Sequence, residues 1–94
     1  MFTLPESVTT FTVAEVHQQL LDYVNERAAT GENDIEIDAS QVSDVDAAGI
    51  QLLLSVSKSA DERGLGFNLS DQSEIVTQML KLSGAGRILG KEEV

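Results

Sequence analysis

The sequence predicts an α/β fold: a small, mostly parallel sheet carrying three helices within a single domain spanning residues 1–94. Three observations lead there. Short apolar alternations and longer helical repeats take turns along the chain, in the order β(β)αβαβα(β), and such alternation builds parallel sheets with right-handed crossovers. Each helical repeat runs into a glycine, at Gly31, Gly64 and Gly84, a residue that ends helices by accepting a left-handed backbone. Finally, a 94-residue chain that is 41% hydrophobic has material for one packed core and no more.

Taken in order, Phe2, Leu4, Val8 and Phe11 alternate loosely around Pro5. They read as one or two short strands, broken at Pro5 and placed at a sheet edge where a missing N–H is tolerated. Thr12-Val13-Ala14-Glu15 has the form of a capping box. Val13, Val16, Leu20, Leu21, Val24 and Ala28 follow at helical spacing, so a first helix is expected over about 13–30. His17 falls beside its apolar face. Ile35 and Ile37 alternate with Glu36 and Asp38 in a strand over 34–38, and Val42 and Val45 anchor the connection that follows.

The second helix begins after Asp46, with Gly49, Leu52, Leu53, Val56 and Ala60 as its core stripe and Arg63-Gly64 as its end. Gly66-Phe67-Asn68-Leu69 is a short strand, and Asp71 and Glu74 form a second box-like helix start. Ile75, Val76, Met79, Leu80 and Leu82 mark the third helix, closed by Gly84 and Gly86, and Arg87-Ile88-Leu89 reads as a last strand.

Composition narrows the function. The net charge is −10 and the six basic residues are scattered, which argues against nucleic acid and anionic membranes, since both demand Lys/Arg clusters. A partner with a basic surface would be steered toward this chain, although acidity also serves solubility. The sequence contains no cysteine, which excludes disulfides and thiolate metal sites. The N-terminus lacks the basic and apolar regions of a signal peptide, and no apolar run approaches the roughly 18 residues that span a bilayer. The expected location is the cytoplasm.

Catalytic signals are sparse. His17 is the single histidine and reads as a core-border or exposed residue. Gly84-Ala85-Gly86 is too short for a phosphate loop. The carboxylates Asp34, Glu36, Asp38, Asp44 and Asp46 are dense, but their spacing does not match a calcium loop, and a solvated strand face with a helix cap accounts for them. Ser55, Ser57 and Ser59 read as solvent-facing positions of the second helix. No metal, cofactor or enzymatic activity is expected.

The entry to the second helix is more informative. Asp46 suits an N-cap, because its carboxylate can accept the free N–H groups of the first turn. Ala47 and Ala48 fill that turn, and Gly49 permits close approach of other atoms. As structure alone, this is a tight strand-to-helix corner. Ile50 and Leu54 form an i,i+4 pair to one side of the core stripe, expected to be partly exposed as a docking surface, with burial against the third helix as the alternative.

Ile35-Glu36-Ile37-Asp38-Ala39-Ser40 and Val45-Asp46-Ala47-Ala48-Gly49-Ile50-Gln51-Leu52-Leu53-Leu54 resemble the STAS domain, the family of bacterial anti-sigma factor antagonists and of the cytosolic tails of sulfate transporters. The resemblance runs from Phe2 to about Leu89. Leu4-Pro5-Glu6 and Gln51-Leu52-Leu53-Leu54 also resemble stand-alone members encoded beside chemotaxis genes. The resemblance implies a non-enzymatic module docking a partner through Asp46, Ala47, Ala48, Gly49, Ile50 and Leu54. The partner would be an anti-sigma kinase, a chemotaxis component or, alternatively, a lipid-transport ABC transporter for which this chain is an accessory subunit. Nucleotide or lipid binding is a further alternative, against which the few basic residues of an acidic domain count, and self-association as a homodimer is another. In antagonist members a kinase phosphorylates the hydroxyl residue before the glycine. Ala48 holds that position and Ala47 the one before it, and neither has an oxygen to modify. Ser40, Ser43 and Ser55 lie off the motif, and the role does not pass to them. The C-terminal helix of many members is expected to be missing, because the chain ends at Val94.

Overall fold

The structure, a computed structural model, describes residues 1–85. Within them lie β1 (Phe2–Thr3), β2 (Ser7–Val8), α1 (Val13–Ala29), β3 (Asp34–Ala39), β4 (Asp44–Val45), α2 (Ala47–Glu62), β5 (Gly66–Gln72) and α3 (Glu74–Ser83). The expected strand Arg87-Ile88-Leu89, together with Gly86 and the expected absence of a fourth helix, lies outside the described residues.

The strands form two parallel pieces. One sheet has the order β1-β3-β5, and a separate ribbon pairs β2 with β4. Ile35, Ile37 and Ala39 of β3 are fully buried, while Glu36 between them is exposed, the alternation expected of a sheet with one solvated face. β1 pairs with β3 through two residues, Phe2 opposite Ile37 and Thr3 opposite Asp38. Beyond that short strand Tyr23 of α1 takes over the edge: its hydroxyl accepts from Glu36 N–H at 3.2 Å and donates to Glu36 C=O at 3.3 Å. Its ring meets Phe2 at 5.8 Å between centroids. One side chain thus satisfies two edge groups of the backbone and holds α1 to the sheet.

The helical stripes bury as their spacing requires. Val16, Leu20 and Val24 of α1 are buried, as are Gly49, Leu52, Leu53, Val56 and Ala60 of α2. The three helix-ending glycines have positive φ, 78° at Gly31, 74° at Gly64 and 76° at Gly84.

Six expectations need correction. Thr12 makes no capping bond to α1. Its hydroxyl donates to Ser7 C=O and accepts from Thr9 N–H, both at 3.0 Å, so a turn before the helix uses it. The same turn reverses the chain and leaves Phe11 94% exposed instead of extending the Val8 alternation. α3 is capped by Ser73, whose oxygen accepts from Val76 N–H at 3.4 Å, not by Asp71. Pairing slips between Ile37 and Asp38, so that β5 carries an extra residue, Ser70, and runs on to Gln72. The Ser70 hydroxyl, donating to Ile37 C=O at 3.3 Å, fills the gap in the ladder. Leu82 is 83% exposed, because it sits two residues past buried Leu80 and so on the far side of the helix. Finally, Ile50 is 3% exposed and belongs to the core. The Ile50–Leu54 pair is therefore not a shared exposed surface.

Candidate functional site

The β2–β4 ribbon places two helix starts side by side. Ser7 pairs with Asp44 and Val8 with Val45, and Glu6 C=O accepts from Ser43 N–H at 2.8 Å and Asp44 N–H at 3.1 Å. From the end of this ribbon one strand turns through Thr9–Thr12 into α1, and the other passes Asp46 into α2.

Asp46 ties the two starts together. One carboxylate oxygen accepts from Gly49 N–H at 3.2 Å, the N-cap bond of α2. The other accepts from Thr10 N–H at 3.1 Å and from the Thr10 hydroxyl at 3.2 Å. These donors, the Thr10 N–H foremost, hold the Asp46 carboxyl below its ordinary range, because each favours the charged form. Asp38, at the end of β3, is lowered in the same way by the N–H of Ser40, whose bond to it is 2.9 Å.

Gly49 is required sterically. A Cβ there would overlap the carbonyl oxygen of Val8 and come within 2.8 Å of Val45 Cγ2. No other residue lets the first turn of α2 lie so close against the ribbon.

Beside the corner a groove of about 370 Å³ opens between the N-terminal halves of the two helices. Val13, Ala14 and His17 form one wall, and Ala48, Gln51, Leu52 and Ser55 the other. Ala48 is half-buried there and Ala47 is exposed. His17, read from sequence as a border residue, is half-buried in this wall, and Ser55 is exposed on the opposite one. Leu54 lies elsewhere. It lines a second cavity of about 540 Å³ on the other flank of α2, with Ser57, Lys58, Asp61, Leu65, Gly66 and Phe67.

The structure therefore brings Asp46, Ala47, Ala48 and Gly49 together, buries Ile50 and separates Leu54. Sequence reasoning missed Thr10, whose N–H and hydroxyl hold Asp46, and read Phe11 as part of a strand. The signal was available in Ser7-Val8-Thr9-Thr10-Phe11-Thr12, a hydroxyl-rich stretch typical of side-chain-stabilised turns.

A small parallel α/β domain whose second helix springs from a capped Asp46–Gly49 corner is the architecture of a STAS domain. The chain belongs to that family: the family model described as Mlab, STAS domain matches residues 7–90. Its members are typically non-enzymatic regulatory modules. Among the described residues, no helix is long and apolar enough to cross a membrane.

Proposed function

We propose that this chain is a non-enzymatic regulatory module that docks a signalling protein through the Asp46–Gly49 corner and the groove beside it, in the manner of an anti-sigma factor antagonist without the phosphorylation switch. The observation that supports this reading is Ala48. It sits on the wall of an open groove, one residue before the glycine that seats α2 on the ribbon. A phosphate at that position would place nearly two negative charges in the groove, and alanine cannot carry one. Docking is then constitutive, or controlled from the partner's side.

The missing hydroxyl also favours a second reading, an accessory subunit of a lipid-transport ABC transporter, since a permanent subunit needs no switch at its interface. One experiment separates the two. Tagged chain and its Ala48→Asp variant are purified from source cells, and the retained proteins are identified by mass spectrometry. A kinase-like or chemotaxis protein lost with Ala48→Asp supports the first reading, and a transporter ATPase lost with it supports the second. A partner retained equally by both forms removes the corner from the interface.

A further inference from the structure

Charge is distributed unevenly along this chain. Arg27 is the one Lys or Arg in the first 57 residues, and the others are Lys58, Arg63, Lys81, Arg87 and Lys91. Arg27 lies in the last turn of α1 and is engaged by Glu32 at 3.6 Å and Asp34 at 3.4 Å. The segments that build the corner, residues 6–17 and 44–55, therefore contain Glu6, Glu15, Asp44 and Asp46 and no Lys or Arg. Glu6, Glu15 and Asp44 are exposed.

Within this acidic surround stands Phe11, 94% exposed. Its backbone is held in the Thr9–Thr12 turn. Thr10 is bonded to Asp46, Phe11 N–H donates to the Thr9 hydroxyl at 3.2 Å, and Val13, two residues on, lines the groove. An aromatic ring carried on an ordered turn differs from a frayed apolar residue, because the backbone beneath it is already ordered and contact costs only the side chain's own rotamer freedom.

The walls constrain the occupant further. Both are helices, so beyond their first turns their backbone N–H and C=O groups are already paired. An extended segment laid in the groove would find no ladder to join. A helix brings its own backbone bonds satisfied and offers one apolar face.

We propose that the occupant of this groove is a basic amphipathic helix of the partner protein, with an apolar side chain seated between Val13 and Leu52 and Lys/Arg residues facing Glu15, Asp44 and Asp46, and that Phe11 is its principal anchor. This rests on the docking reading above and specifies the partner's chemistry. Cationic side chains gain both from the carboxylates and from the face of the Phe11 ring.

The test uses the ¹⁵N-labelled chain and two synthetic 18-residue helices. One carries leucines at i, i+3, i+4 and i+7 spacing with lysines elsewhere, and the other has every lysine replaced by glutamate. The lysine peptide is expected to shift amides of residues 10–17 and 46–55, at least about tenfold more weakly in Phe11→Ala, the loss typical of an anchor residue. The shifts should shrink as salt is raised, and the glutamate peptide should leave them unmoved. Equal response to both peptides at the corner, or an unchanged Phe11→Ala titration, overturns the basic helix and the anchor while leaving corner docking intact. Shifts confined to α3 or β5, or no shift at all, overturn the proposal together with the corner itself.

Discussion

The two flanks of α2 carry cavities of opposite character. The flank facing β5 has the larger, about 540 Å³, and within it Lys58 and Asp61 stand three residues apart on the helix, close enough for their charges to offset. The flank facing α1 has the smaller, about 370 Å³, bordered by segments with four carboxylates and no Lys or Arg. Size alone would choose the first. Field chooses the second, because a surface of one sign steers an oppositely charged partner from a distance and a balanced one does not. The same helix thus offers a recess with one charge of each sign on one side, and on the other a groove lined by apolar and uncharged polar residues and His17, which the proposed docking would use.

The most damaging way to break this arrangement is at its common support. Gly49→Ala drives a methyl into the Val8 carbonyl and Val45, so α2 must lift from the ribbon and both flanks move. Backbone and a buried valine can give little, and a loss of about 1–3 kcal/mol is expected, read as a lower urea midpoint with an unchanged slope. An unaltered midpoint would show that the corner is softer than its packing implies.

The next test sets flank against flank. Ala48→Asp places a carboxylate among the apolar lining of the groove facing α1, where an incoming apolar side chain would strip its water, and is expected to weaken partner binding at least about tenfold, or about 1.4 kcal/mol. Ser57→Asp places the same charge in the other cavity and should leave affinity within about twofold. The fold should tolerate both, since Ala48 lies in the first turn, where a carboxylate suits the helix dipole, and Ser57 is half-buried at the cavity rim. If Ser57→Asp proves the more harmful, the roles of the flanks are reversed.

These flanks were unequally legible in the sequence. The core stripe of α2 could be read directly, because helical period and apolar content agree at Leu52, Leu53, Val56 and Ala60. The cap was legible too, since Asp before a helical run has one strong local use. What could not be read was which side of α2 faces which neighbour. Ile50 and Leu54 share a helix face, yet Ile50 is buried and Leu54 half-buried. The difference lies in what packs against each turn, a tertiary fact. The Thr9–Thr12 turn was hidden for another reason. Phe2, Leu4, Val8 and Phe11 mimic a strand period, whereas the hydroxyls of Thr9 and Thr12 hold the backbone in a turn. Asp71 lost its capping role to Ser73 because one bulge residue lengthened β5, and a bulge carries no signature here.

A third test acts on the tie between the two helix starts. The Asp46 carboxyl is held below its ordinary range by Thr10 and Gly49. Its ionised form is thus favoured in the folded state, and the stability this contributes is present above its unfolded pKa of about 3.9. It is lost as pH falls below about 4 and through the folded value. Asp46→Asn should therefore lower stability at pH 7 and flatten the acid limb of the stability curve below about pH 4, with Asp38 supplying what slope remains. Parallel curves for the two proteins across that window would mean that the Thr10 bonds do not persist in solution.

The smallest expected effect is on the stability of Phe11→Ala. A ring that is 94% exposed contributes almost no burial, and its backbone N–H keeps the Thr9 hydroxyl whatever side chain is attached. The unfolding midpoint should shift by no more than about 0.5 kcal/mol in equivalent free energy. That near-silence gives the variant its value: a large loss of partner affinity from a residue that does nothing for the fold can be assigned to partner contact at the Thr9–Thr12 turn beside the groove. A marked loss of stability would instead place the ring against the domain in solution, and the acidic flank would then lack its aromatic anchor.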